Sequence, residues 1–425
     1  LKNWKEDRMR PYGTRFLTLT TVAAASAITL ASCSSGSSGG GGSGSKAPIT
    51  IGISLSQTGD FSVDGQAFTR GYELWAQYVN SHGGLLGGRH IKLTILNDNS
   101  DPTTVQSNYT KLIASDHVNL VFGPFSTLLT VPSAKVAARY GYAFPEGAGG
   151  GPAVFQLGLR NVFAVSPPVA DQLVPFAQWV ASLPPGQRPK TAAYPMVNDP
   201  FADPMTQTAQ SILSHAGVKT VYSHIFPAEN PDYKAGADQV AATGAQMVVL
   251  GTVDVPTVAA FITAFEQQHY NPKILAATSG PDQGAAFLKA IGAANATGIF
   301  VPNGWYAGLQ NPLSQAFVKA YIAKYGGSPA DINADAAEAF SVGETAAQAI
   351  TGTKSIDNSK IIAWLHSHTT QTVQGPAKYN NIGENVVASK FIFQWQHGQK
   401  FVQVLPAGAA GSVPIVNPRP DWGKG

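Results

Sequence analysis

Cysteine is all but missing. Cys33 is the only one in 425 residues, so no disulfide can form within the chain, and the fold must stand on its apolar core. Charge is scarce as well, at 12% Asp, Glu, Lys and Arg. Five basic and two acidic side chains fall in residues 1–32, which leaves 23 of each sign from residue 33 onward. A neutral body has no sequence-independent attraction for a phosphate backbone, so nucleic acid is not an expected partner. Long apolar runs are lacking too. The most extended, Phe16 to Leu30, is diluted by Thr, Ser and Ala and is short for a membrane-spanning helix. Glycine, by contrast, is abundant at 44 residues, which suits a folded chain with many short loops. The length implies about two to three domains.

From residue 47 onward, strand and helix patterns alternate. Ile49-Thr50-Ile51-Gly52-Ile53-Ser54 reads as a buried strand, and Phe68, Tyr72, Trp75, Ala76 and Val79 fall on one helical face. Asp101 is a candidate N-cap with Pro102 at the first helical position. Further strands are expected at 91–96, 118–122, 142–144 and 162–165. A second cycle places strands at 191–194, 219–226, 247–251 and 274–278. Such alternation predicts an α/β protein with two doubly wound parallel-sheet lobes. The last third departs from it: a strand at 298–302, three helices (313–325, 334–350, 359–366), then a hairpin of 391–395 and 400–405 turned at His397-Gly398. The chain is therefore expected to return to the first lobe and cross back once more.

Enzymatic motifs fail. Gly147-Ala148-Gly149-Gly150-Gly151 follows a strand, but no Gly-Lys-Ser/Thr comes after it, and no acidic ribose partner stands at the dinucleotide spacing. A Gly-x-Ser-x-Gly elbow is missing. Asp98-Asn99-Ser100-Asp101 lacks the glycine and glutamate of a calcium loop and reads as turn and cap. His366 and His368, two apart, point to different faces of a helix and read as solvated. The chain is read as a non-enzyme with no cofactor and no metal.

Leu30-Ala31-Ser32-Cys33, behind a basic then apolar segment and ahead of a Ser/Gly stretch to Ser45, resembles a bacterial lipoprotein signal. The resemblance implies cleavage before Cys33, a diacylglyceryl group on its sulfur and an extracytoplasmic, membrane-anchored protein. Residues 1–32 would be the signal peptide, with Met9 a candidate initiator, and 33–46 the lipidated cysteine and tether.

Ile51 to Gly59 with Gly65 and Gly71, Val79 to Arg89, Asn97 to Pro102, and Val121-Phe122-Gly123-Pro124 resemble the branched-chain amino-acid-type (Leu/Ile/Val-binding-like) solute-binding proteins of ABC transporters. So do Thr278-Ser279-Gly280-Pro281 and Phe393 to Gly398. The similarity covers about residues 47–407. It implies the type I periplasmic binding protein fold: two lobes joined by a three-segment hinge, closing on a small-molecule ligand, in a monomer that serves an ABC permease. The expected lobes are 47–166 plus 302–382 and 167–301 plus 383–425, with crossovers near Ser166-Pro167-Pro168, near Val301-Pro302 and between Lys378 and Ser389.

Carried over residue by residue, the resemblance places Phe61, Ser62 and Asp64 near the cleft. Ser126 and Thr127 follow, with hydroxyls suited to a ligand carboxylate, and then Gly147, Ala148 and Gly149. The second lobe contributes Phe201, Asp254 and Asp282. Several positions have a second reading. Phe61 and Phe201 could be loop anchors, Asp64 simply solvated, and Asp254 and Asp282 helix N-caps before Val255 and Ala285. Trp305 and Tyr306 either line the cleft or pack beneath it. Gly149 stands where amino-acid binders tend to carry Ser or Thr, and Glu146 could repel an anion unless it points away. An amino acid, possibly of branched-chain type, is the leading ligand. An amide, a carboxylated aromatic and a ligand-sensing role are the alternatives.

Overall fold

A computed structural model describes residues 46–227, 232–397 and 400–425. The expected signal peptide, Cys33 and the tether up to Ser45 lie outside them, as does Gly398 of the expected hairpin turn. Residues Ala47–Gly425 form one compact unit, built as two lobes.

In the first lobe, β1 (Ile49–Leu55), β2 (Ile91–Asn97) and β3 (Leu120–Val121) run parallel in the order β2-β1-β3. β4 (Phe144–Glu146) and β5 (Val162–Ala164) form a second parallel pair. The Gly123 N–H donates to the Pro145 carbonyl at 2.9 Å and links β3 to β4. β1 is β-branched and almost wholly buried, as suits a central strand covered on both faces. The helix Ser62–Ser81 turns Phe68, Tyr72, Trp75 and Val79 inward, the stripe expected from their spacing. It packs against the helix Ala334–Thr353 with almost no gap. A Cβ on Gly71 would run into the Ala336 carbonyl, and one on Gly343 into the Trp75 ring. Asp101 caps the helix Pro102–Ala114, accepting from the Thr104 N–H at 2.6 Å.

The second lobe holds β6 (Thr191–Val197), β7 (Lys219–Phe226), β8 (Met247–Leu250), β9 (Ile274–Ala277) and β10 (Ile299–Asn303), mutually parallel. The chain then returns to the first lobe, where β11 (Thr370–Thr372) and β12 (Gly375–Ala377) make a short antiparallel hairpin. Back in the second lobe, β13 (Phe391–Gln396) and β14 (Lys400–Leu405) add antiparallel strands beside β10, giving the order β14-β13-β10-β9-β8-β6-β7. The expected all-parallel sheet is thus mixed at one edge, because a hairpin returning from the other lobe needs no crossover helix.

One core joins residues 49–165 with residues 305–379. Two others, on opposite faces of the second sheet, join residues 169–300 with 391–405. Two expected lobe boundaries, at 301/302 and 382/383, move a few residues on. Pro302 lies inside β10, paired with Ile392, so the chain leaves the second lobe after Asn303. Residues 383–385 still belong to the first lobe: the Gly383 carbonyl accepts from Ala164 N–H at 3.0 Å, and Asn385 Nδ2 donates to the Val165 carbonyl at 2.8 Å. Proline is accommodated at 302 because the pairing of β10 with β9 ends at Phe300, which leaves the strand with an open edge there.

Candidate functional site: a cleft between the lobes

Strand ends and helix amino ends from both lobes meet at a cleft of about 680 Å³, counted out to its open mouth. Asp64, Phe125, Ser126, Gly147 and Ala148 form the first-lobe wall, with Asp335 and Glu338 from the helix Ala334–Thr353. Phe201, Val253, Thr278, Ser279 and Asp282 form the second-lobe wall. Ser166, Pro167, Asn303 and Gly304, on the connecting segments, close the back.

Of the residues expected here, Asp64, Ser126, Gly147, Ala148, Phe201 and Asp282 line the cleft. The others do not. Phe61 is buried in the first-lobe core, its ring edge-on to Phe125 at 5.5 Å, so it supports the wall from behind. Ser62 opens the helix beside it. Thr127 is fully buried at the start of the helix Thr127–Arg139, packed against Gly151. Gly149 gives way to Gly150 in the lining, and a Cβ at 149 would collide with the Thr130 hydroxyl. Asp254 is an N-cap, accepting from the Thr257 N–H at 2.7 Å. Trp305 is buried beneath the cleft, its Nε1 donating to Ser314 Oγ at 2.8 Å. Tyr306 packs on Phe393, ring centres 5.0 Å apart.

Glu146 points away from the cleft. Its Oε2 accepts from the Gly149 N–H and its Oε1 has no partner. Burial pushes its pKa up to about 7, against the pull of that hydrogen bond.

Four carboxyl groups do face the cleft: Asp64, Asp282, Asp335 and Glu338. Among the described residues, no Lys, Arg or His lines it. Asp64 accepts from Gln283 Nε2 at 2.9 and 3.1 Å and from Asn333 Nδ2 at 3.2 Å. Asp335 stands close enough for each carboxyl to alter the proton affinity of the other. Burial lifts Asp64 to about 7, hydrogen bonds from Asp335 and Asn333 pull it back, and the charges of Asp282 and Asp254 push it up. Asp335 and Glu338 are raised well above the carboxylate range, by burial first and then by acidic neighbours. Asp282 rises to about 6 through burial, moderated by donors that include the Gly280 N–H at 2.8 Å and Asn303 Nδ2 at 3.2 Å. Ser126 Oγ, in the same wall and 6% exposed, has no hydrogen-bond partner.

Sequence reasoning missed Asp335 and Glu338. They stand three apart, on one helical face, in a helix whose other residues are mostly small or apolar and buried. An acidic pair in so apolar a helix was the available signal.

The sequence from residue 48 to 400 matches the model of the periplasmic binding protein family. An amino acid binding protein of Pseudomonas aeruginosa is 22% identical over 367 residues, 84% of this chain and 92% of that one. A leucine-binding protein of Thermotoga maritima superposes with a TM-score of 0.73 at 18% identity, over 83% of this chain and 97% of the other. A solute-binding protein of R. palustris in complex with benzoate gives 0.72 at 17% identity, over 89% and 98%. The chain belongs to the periplasmic binding protein family, with the type I fold of its branched-chain amino-acid-type members.

Proposed function

We propose that this protein captures a small organic molecule bearing an ammonium group, an amino acid being the leading choice, and delivers it to an ABC importer. It works outside the cytoplasm as a monomer, held to the membrane by a lipid on Cys33. The observation that carries the ligand reading is the placement of carboxyl groups from both lobes, Asp64 and Asp282, on one cleft beside the free Ser126 hydroxyl. Closure would bring both walls onto a ligand and bury it. An ammonium finds acceptors on each side, while a carboxylate finds the Ser126 hydroxyl and the backbone at the start of the helix Thr127–Arg139. The P. aeruginosa and T. maritima relatives support an amino acid. The benzoate-bound neighbour supports an aromatic acid less well here, because among the described residues no Lys, Arg or His lines the cleft to pair with a lone anion. The Leu30–Cys33 junction supports the anchor.

A melting-temperature screen of amino acids, amides and aromatic acids tests the ligand, since a compound that binds only the folded state raises the midpoint. Stabilisation by amino acids is expected. Stabilisation by aromatic acids alone would sink the ammonium reading. For the anchor, Cys33→Ala should move the protein from the membrane fraction to the soluble one.

A further inference from the structure

We infer, resting on the reading of this cleft as the ligand site, that the ligand is a net cation: a small organic molecule with at least two amine- or guanidine-type groups. Asp64, Asp282, Asp335 and Glu338 all border the same cleft. Every partner seen on them is uncharged or acidic. Gln283 and Asn333 donate to Asp64, Asn303 to Asp282, and Ser166 to Glu338. Asp335 meets another carboxyl. From the elements packed around Asp64, the ionisable groups that face it are Asp335 and Glu338 on the helix Ala334–Thr353, with Asp282 and Asp254 on the second lobe. None is basic.

Buried carboxylates without a countercharge are costly, and neutral amides offset only part of that cost. A zwitterion such as leucine brings one charge of each sign and leaves the surplus as it found it. A basic amino acid or a diamine removes it. Two further features of the wall suit such a ligand. Ser126 Oγ, buried and without a partner, is an acceptor or donor waiting for a polar group. Phe125 and Phe201 present aromatic surface to the same space, favourable for a cation lying over a ring face. Burial and acidic neighbours raise the proton affinity of these carboxyls, and an entering cation favours their ionised forms, so binding releases protons.

Calorimetry on the mature chain tests this with L-lysine, L-arginine, putrescine, L-leucine and benzoate as probes. At least one of the three cations should bind roughly tenfold or more tighter than L-leucine, a factor that one charge-assisted contact supplies. Its affinity should rise by about tenfold from about pH 5.5 to about pH 7.5, with proton release seen by comparing two buffers of different ionisation enthalpy. Asp335→Asn or Glu338→Gln should erase the preference over L-leucine. Asp282→Asn, on the other lobe, repeats the test should the first two fail to fold. L-Leucine binding as tightly as every cation overturns the net-cation inference and leaves the amino-acid reading standing. Benzoate alone binding, or silence from the whole panel, overturns both.

Discussion

Gln283, on the second lobe, donates its side-chain amide to both carboxylate oxygens of Asp64, on the first, at 2.9 and 3.1 Å. It is a direct tie between the lobes. A hydrogen bond to a charged group contributes about 1.5–3 kcal/mol, enough to bias a hinge whose two states differ by a few kcal/mol. Gln283→Ala should therefore expand the ligand-free particle in small-angle scattering while leaving the unfolding midpoint nearly unchanged. Superimposable scattering curves would show that the tie does not hold the lobes.

The two neighbouring hydroxyls should separate cleanly. Ser126 lines the cleft without a partner, so Ser126→Ala should weaken binding of the compound found by the screen by roughly tenfold to a hundredfold. Thr127 is fully buried with its Oγ1 also unpartnered. Thr127→Val keeps the shape and removes an unsatisfied polar atom, so it should leave stability unchanged or raised by about 1 kcal/mol and leave affinity alone. A binding loss in Thr127→Val larger than in Ser126→Ala would reverse the assignment.

Asp254 and Asp282 should part in the same way. Asp254 caps the helix Val255–Gln267, and Asn caps about as well as Asp. Asp254→Asn should be silent, while Asp254→Ala should cost about 1 kcal/mol of stability with unaltered binding. Asp282→Asn should weaken ligand binding with little loss of stability. Urea melts and titrations of both variants check this.

The buried carboxyls give the ligand-free protein a pH dependence of defined sign. Asp64 and Glu146 sit at about 7 and Asp282 at about 6, above the usual unfolded values of about 4. The folded state therefore binds more protons than the unfolded one between about pH 4 and pH 7. The contribution is complete below the unfolded values and is lost as pH rises through 6 to 7. Urea midpoints should fall over that window. Glu146→Gln keeps an acceptor for the Gly149 N–H and should flatten part of the slope. A midpoint that climbs steadily from pH 5 to pH 8 would contradict it.

Much of the framework was legible because its signals are local. Ile49–Leu55, the Phe68–Val79 stripe and the Asp101-Pro102 cap each follow from spacing and residue type within one segment. The family resemblance then ordered the segments and placed Asp64, Ser126, Ala148 and Asp282 at the cleft. Where the reading failed, the deciding partner was far away in sequence. Gly149 answers to Thr130. Pro302 was taken for a connector because its neighbour in the sheet, Ile392, lies ninety positions on. Asp335 and Glu338 show locally as an acidic pair in an apolar helix, but that they share a cleft with Asp64 depends on a contact about 270 positions away in sequence.

The helices that carry Asp64 and the Asp335–Glu338 pair touch through Gly71 and Gly343, with no room for even one more methyl group. Three of the four cleft carboxyls therefore have their mutual distances fixed when the first lobe folds. The two helix backbones that carry them cannot approach more closely. The separation left free is that to Asp282, which travels with the other lobe. Such a receptor works as a caliper with one fixed jaw. On the proposed reading, the first lobe offers a ligand a preset spacing of carboxyls, and the second lobe is the part that adjusts to its length.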